Sequence, residues 1–100
     1  MTSYSTLKNK YQEDLPVIGA NLIYTPCVVY SITICLEADG DAVVSFSDSQ
    51  TYDSASRVLK LVTSAENKTI HVSFPEGKKF DTGLSAISNV SSVDVSITYQ

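Results

Sequence analysis

Residues 27–36 read Cys-Val-Val-Tyr-Ser-Ile-Thr-Ile-Cys-Leu, where Val28, Tyr30, Ile32, Ile34 and Leu36 alternate with mostly smaller or polar partners. Successive side chains of a strand point to opposite sides of a sheet, so period two predicts one face buried and one in water. The same pattern recurs outward from this stretch. Ile70, Val72 and Phe74 carry it, and Val93, Val95, Ile97 and Tyr99 run it up to Gln100.

The punctuation between these runs completes the reading. Pro26 forces an edge or a bend ahead of the long strand, which runs from Cys27 to about Glu37. Asp39-Gly40 is a two-residue hairpin signal, with residues 42–46 returning from it. Residues 47–56 form one long polar loop, and residues 58–62 the next strand, with Leu59 and Leu61 inside. Pro75-Glu76-Gly77-Lys78 reads as a turn, and residues 80–87 as a further strand containing Gly83. Seven to eight strands without an internal helical segment predict an all-β fold, an antiparallel β-sandwich of the jelly-roll or Ig-like kind.

The first twenty residues differ. Tyr4, Leu7, Tyr11 and Leu15 recur at spacings of three, four and four, one stripe of a helix that Pro16 would end. About a dozen residues is marginal for an isolated helix in water. The stripe is therefore either a frayed terminus or an arm, with room for a short helix, that orders only against the body or a neighbouring subunit. The expected organisation is an arm and connector over residues 1–21 and a sandwich over residues 22–100.

A chain of 100 residues with 43% hydrophobic content has enough apolar mass for one core without a metal or disulfide. Net charge is −4 and the seven basic residues are scattered, only Lys78 and Lys79 being adjacent, which argues against nucleic acid and anionic membranes as partners. No apolar run is long enough to span a bilayer, and the first residues lack the apolar stretch of a secretory signal. Synthesis in the cytoplasm is expected. Ser and Thr make up roughly a quarter of the chain and fall mostly at the polar positions of the alternation. Such a face suits solvent, or a flat uncharged contact.

Residues with chemical potential all have plainer roles. Cys27 and Cys35 lie on one strand about 26 Å apart at ~3.3 Å per residue, too far for a disulfide. His71 alternates onto the outer face with Thr69 and Ser73, and no carboxylate adjoins it in sequence to orient the ring. Asp39, Asp41, Asp48 and Asp53 fit turn chemistry better than a calcium loop. The four glycines are isolated, so no phosphate loop exists. The sequence assigns no catalytic, cofactor or metal residues. Three features are not explained by the alternation: the stripe of Tyr4, Leu7, Tyr11 and Leu15, the loop of residues 47–56 with Tyr52, and the unpaired thiols of the long strand; the first two are the expected contact regions.

Three stretches together resemble small virion proteins of tailed phages. Thr25-Pro26-Cys27-Val28-Val29-Tyr30-Ser31-Ile32-Thr33-Ile34 resembles their opening strand, although Cys27 stands where glycine is usual. Phe74-Pro75-Glu76-Gly77-Lys78-Lys79-Phe80-Asp81-Thr82-Gly83-Leu84 resembles their next-to-last hairpin, and Val93-Asp94-Val95-Ser96-Ile97-Thr98-Tyr99 their closing strand. The resemblance implies a non-enzymatic, cofactor-free head decoration (cement) subunit residing in the virion. Its implied partners are the major capsid protein or other virion subunits, and further copies of itself, with trimers favoured. The alternative is a carbohydrate-binding or adhesin-like sandwich that uses residues 47–56 and the hydroxyl-rich face.

Overall fold

The computed structural model describes residues 7–38 and 40–100, and in it the decisive stretch becomes β3 (Cys27–Leu36). Eight strands form among the described residues: β1 (Lys8–Gln12), β2 (Ala20–Ile23), β3, β4 (Val43–Asp48), β5 (Arg57–Val62), β6 (Thr69–Phe80), β7 (Leu84–Ser88) and β8 (Val93–Tyr99). They build two four-stranded sheets, in the orders β1-β8-β3-β6 and β2-β7-β4-β5. Every pairing is antiparallel. Only β4–β5 joins neighbours within a sheet, and every other connection crosses to the opposite sheet. Eight strands wound this way form a jelly roll, which resolves the choice between the two sandwich types.

Between the sheets lies one core. Val29, Ile32, Ile34, Val93, Val95 and Ile97 of the first sheet meet Val44, Phe46, Leu84 and Ala86 of the second, all with no exposed surface. Each large side chain buried in this way contributes about 1.5–3 kcal/mol before chain entropy is counted.

Several local expectations change, each for a physical reason. No helix forms on the Tyr4–Leu15 stripe among the described residues. Lys8–Gln12 is a strand that pairs with β8, Tyr11 opposite Ser96. Its main-chain groups thereby find partners that a marginal helix would have to supply alone. Leu15 then plugs the core with no exposed surface, its N–H donating to the Val93 carbonyl at 2.7 Å. Tyr4 lies outside the described residues.

The Asp39-Gly40 signal does not make a hairpin, because β3 and β4 belong to different sheets; Asp39 itself lies outside the described residues. Pro75-Glu76-Gly77-Lys78 is not a turn either. β6 runs straight through it as an edge strand, where proline's missing donor costs no ladder bond. Four residues of β6, Phe74 to Gly77, bulge opposite the single residue Tyr30. The turn comes later, at residues 81–83, so Gly83 precedes β7 rather than sitting inside a strand.

Tyr30 is also an extra residue of β3 against β8, since Val29 pairs with Tyr99 and Ser31 with Thr98. A bulge of this kind shifts the side-chain phase by one. Val29 and Cys27 therefore enter the core while Val28 and Tyr30 turn outward. The two cysteines, read as one set, end on opposite faces: Cys27 is buried and Cys35 half-exposed, and both are free.

Candidate functional site

Strand pairing brings four titratable side chains together where β1, the β1–β2 loop, the end of β3 and the start of β8 converge. Asp14, Glu37 and Asp94 place carboxylate oxygens within 4.8 Å of one another. Asp94 is the buried member and accepts the Asp14 N–H at 2.9 Å. Asp14 adopts φ 51°, a left-handed conformation that Asp tolerates better than most residues. Burial opposes the charge on Asp94, but hydrogen bonds from the Glu37 carboxyl, the Asp14 amide and the Tyr11 hydroxyl outweigh it and hold its pKa below the ordinary value. The hydrogen bond and charge of Asp94, with Asp14 and Glu13 nearby, push Glu37 up. The bond to Asp94 likewise raises Tyr11. Carboxyls at this spacing can share a proton or accept a hard cation. Nothing local in the sequence singles out Asp94, and only the register of β8 on β3, Asp94 opposite Cys35, brings it near Glu37.

The outer face of the first sheet is lined with hydroxyls. Ser31, Thr33, Ser96 and Thr98 share it with Thr69, His71 and Ser73, as the alternation implied. The Thr33 hydroxyl lies 2.7 Å from His71 Nδ1, and the Ser73 hydroxyl 3.0 Å from Nε2. Both ring nitrogens are thus engaged on a flat surface, with a threonine where a catalytic triad places a carboxylate.

Residues 47–53 are held by their own chain. The Ser49 carbonyl accepts from Ser85 Oγ at 2.8 Å and lies 3.4 Å from Asn21 Nδ2. Tyr52 is half-buried, and a Cβ placed on Gly19 would lie 3.3 Å from its own. Asp53 caps the 3-10 turn Ser54–Ser56 by accepting the Ala55 N–H at 3.0 Å. Asp48 accepts the Asp81, Thr82 and Gly83 amides at 3.0, 2.8 and 3.3 Å. Burial works against its charge, but those three donors win and its pKa falls. Burial, with the nearby Asp48 charge, pushes the Cys27 thiol up and so keeps it protonated.

Of the residues expected at contacts, Leu7, just ahead of β1, and Tyr11, on β1, are exposed, Tyr52 is partly covered and Leu15 is core. Sequence reasoning missed the most exposed apolar side chains among the described residues, Ile18 at 87% and Tyr24 at 71%. They flank β2 in short loops where no periodicity operates; a β-branched residue in a turn was the available signal. No helix of the described residues is long and apolar enough to cross a membrane. No family model matches the chain, and no curated protein matches it in sequence.

Proposed function

We propose that the chain is a non-enzymatic structural subunit of a virus particle, a decoration subunit that binds a capsid shell through the edges and loops of its sandwich. The observation that carries this reading is the strand order, β1-β8-β3-β6 over β2-β7-β4-β5. Jelly rolls of this architecture recur in viral capsids and lectins. That is support by fold analogy, and it agrees with the sequence resemblance to tailed-phage virion proteins. The placement of exposed apolar residues adds support from the molecule itself. Leu7, Tyr11, Val17, Ile18 and Tyr24 all fall on or beside the border strands β1 and β2. The major capsid protein or another virion subunit is the proposed partner.

The test is quantitative mass spectrometry of gradient-purified particles made by the genome that encodes the chain. Many copies per particle are expected. Absence from purified particles would contradict the proposal. One observation favours a second reading, in which the hydroxyl-lined face with His71 and Thr33 binds a sugar. Binding on a glycan array that disappears with Thr33→Val would favour it.

A further inference from the structure

The two lateral sides of the sandwich are chemically different and complementary. Among the described residues, the seven large exposed hydrophobics all lie on or beside border strands. Five are those named at β1 and β2, and the other two, Val58 and Val62, are on β5 at the opposite side. The internal strands β8, β3, β7 and β4 contribute none. A sandwich whose apolar exposure served only as random surface would not confine it to its two sides.

Charge is segregated along the same axis. Residues 57–80, which comprise β5, β6 and their connection, hold five of the chain's seven basic residues and two of its eleven acidic ones. That region carries net +3 on a chain of −4, leaving −7 on the rest. Lys60 stands between Val58 and Val62 on β5, and Lys78 and Lys79 close β6; Lys79 makes an exposed ion pair with Asp81 at 3.9 Å. The β1–β2 side is the reverse. Lys8 and Lys10 are outnumbered there by Glu13, Asp14, Glu37 and Asp94, the last three being the carboxylate cluster beside exposed Tyr11. Each side also ends in edge strands whose outward main-chain groups have no strand partner within the two sheets.

We propose that copies of this chain associate head to tail, the apolar, acidic β1–β2 side of one copy seating on the apolar, basic β5–β6 side of the next. Like-with-like pairing is disfavoured, because two β5–β6 sides set net positive charge against net positive charge, +2 on each once Asp81, the partner of Lys79, is counted. Apolar contact between Ile18, Tyr24 and the β5 valines supplies the desolvated centre, and the flanking charges set polarity. A heterologous contact of this kind closes into a ring or continues as a filament. The inference rests on the assembly reading above for its purpose, and supplies the self-association surface that reading lacks.

The experiment uses the full chain with two variants at exposed positions, Ile18→Asp and Val62→Asp, each first shown to unfold thermally like the wild type. Sedimentation velocity of the wild type should show mass rising with concentration, and each variant alone should associate at least tenfold more weakly. A one-to-one mixture of the variants has one intact side of each kind. It should form dimers and nothing larger, at several-fold higher concentration than the wild type needs, because one junction lacks ring closure. A wild type that stays monomeric up to about a millimolar would overturn the proposal. So would a mixture that stays monomeric while the wild type assembles, since that marks an isologous contact. If the monomeric wild type instead bound a single-stranded oligonucleotide through Lys60, the basic side would belong to a polyanion and the proposal would fall. Head-to-tail association by a chain absent from particles would remove the virion reading alone. A chain abundant in particles yet monomeric in solution would remove this inference alone.

Discussion

Single carboxylates decide how well the ends of the sandwich are tied. Asp48 closes β4 by accepting three consecutive amides of the β6–β7 turn. Asp48→Ala should cost about 1–2 kcal/mol by urea denaturation at pH 7, the low end for charge-assisted bonds because the site meets solvent. Its folded pKa is depressed, so this stability is present above the unfolded value of about 3.9 and fades as pH falls through the folded one. The gap between variant and wild type should therefore narrow in acid. Glu37 has the opposite sign. Its raised pKa means that its contribution is full below the unfolded value, about 4.3, and is lost as pH rises through the folded value. Glu37→Gln keeps a donor for Asp94 at every pH. Its melting temperature should exceed the wild type's at pH 7, and the difference should shrink towards pH 4. Asn21 offers a third check. Its amide nitrogen donates to Ser85 Oγ at 3.0 Å and to the Ile23 carbonyl at 3.2 Å, while its buried Oδ1 has no partner among the described residues. Asn21→Asp sets a carboxylate against those acceptors and should destabilise the fold by about 2 kcal/mol or more, read as a lower denaturation midpoint.

At the scale of elements, the sheets were legible and the ends of the strands were not. Period two found β6 and β8 because their core positions do alternate: Ile70, Val72 and Phe74 pack against the core, and Val93, Val95 and Ile97 enter it. The same rule misplaced Val28 and Tyr30, since a bulge resets the phase without altering composition. It also turned the chain too early at Pro75, because proline on an edge strand looks the same in sequence as proline in a turn. Gly77 tests that bulge. It has φ +84°, and a Cβ there would overlap Val28 Cγ1 and stand 3.1 Å from the Tyr30 ring. Gly77→Ala should cost about 2–3 kcal/mol. Gly40→Ala, at φ +105° with nothing within 4 Å, should cost only its backbone strain, about 1 kcal/mol. The stretch leading into β2 is likewise structural. Leu15→Ala should lose about 2–5 kcal/mol, as a fully buried leucine does, whereas a detachable arm would lose nothing.

For the whole molecule, alternation gives a sandwich but not its winding. The jelly-roll order follows from which strands meet across long sequence distances, such as β1 with β8, and no local pattern encodes that. The candidate contact surface was half legible for the same reason. Leu7 and Tyr11 stood out by spacing, but Ile18 and Tyr24 join them, and oppose Val58 and Val62, only once the border strands are placed. Charge differs in this respect: residues 57–80 are one contiguous stretch of net +3 in a chain of −4, and the fold adds only that β5 and β6 share one side. These two sides exist for assembly, if copies of the chain seat on one another as proposed. The decisive measurement is light scattering on the unmodified chain across a concentration series. Head-to-tail association requires an average mass that climbs from 10.8 kDa towards whole multiples of it, and a constant 10.8 kDa at every concentration would rule it out.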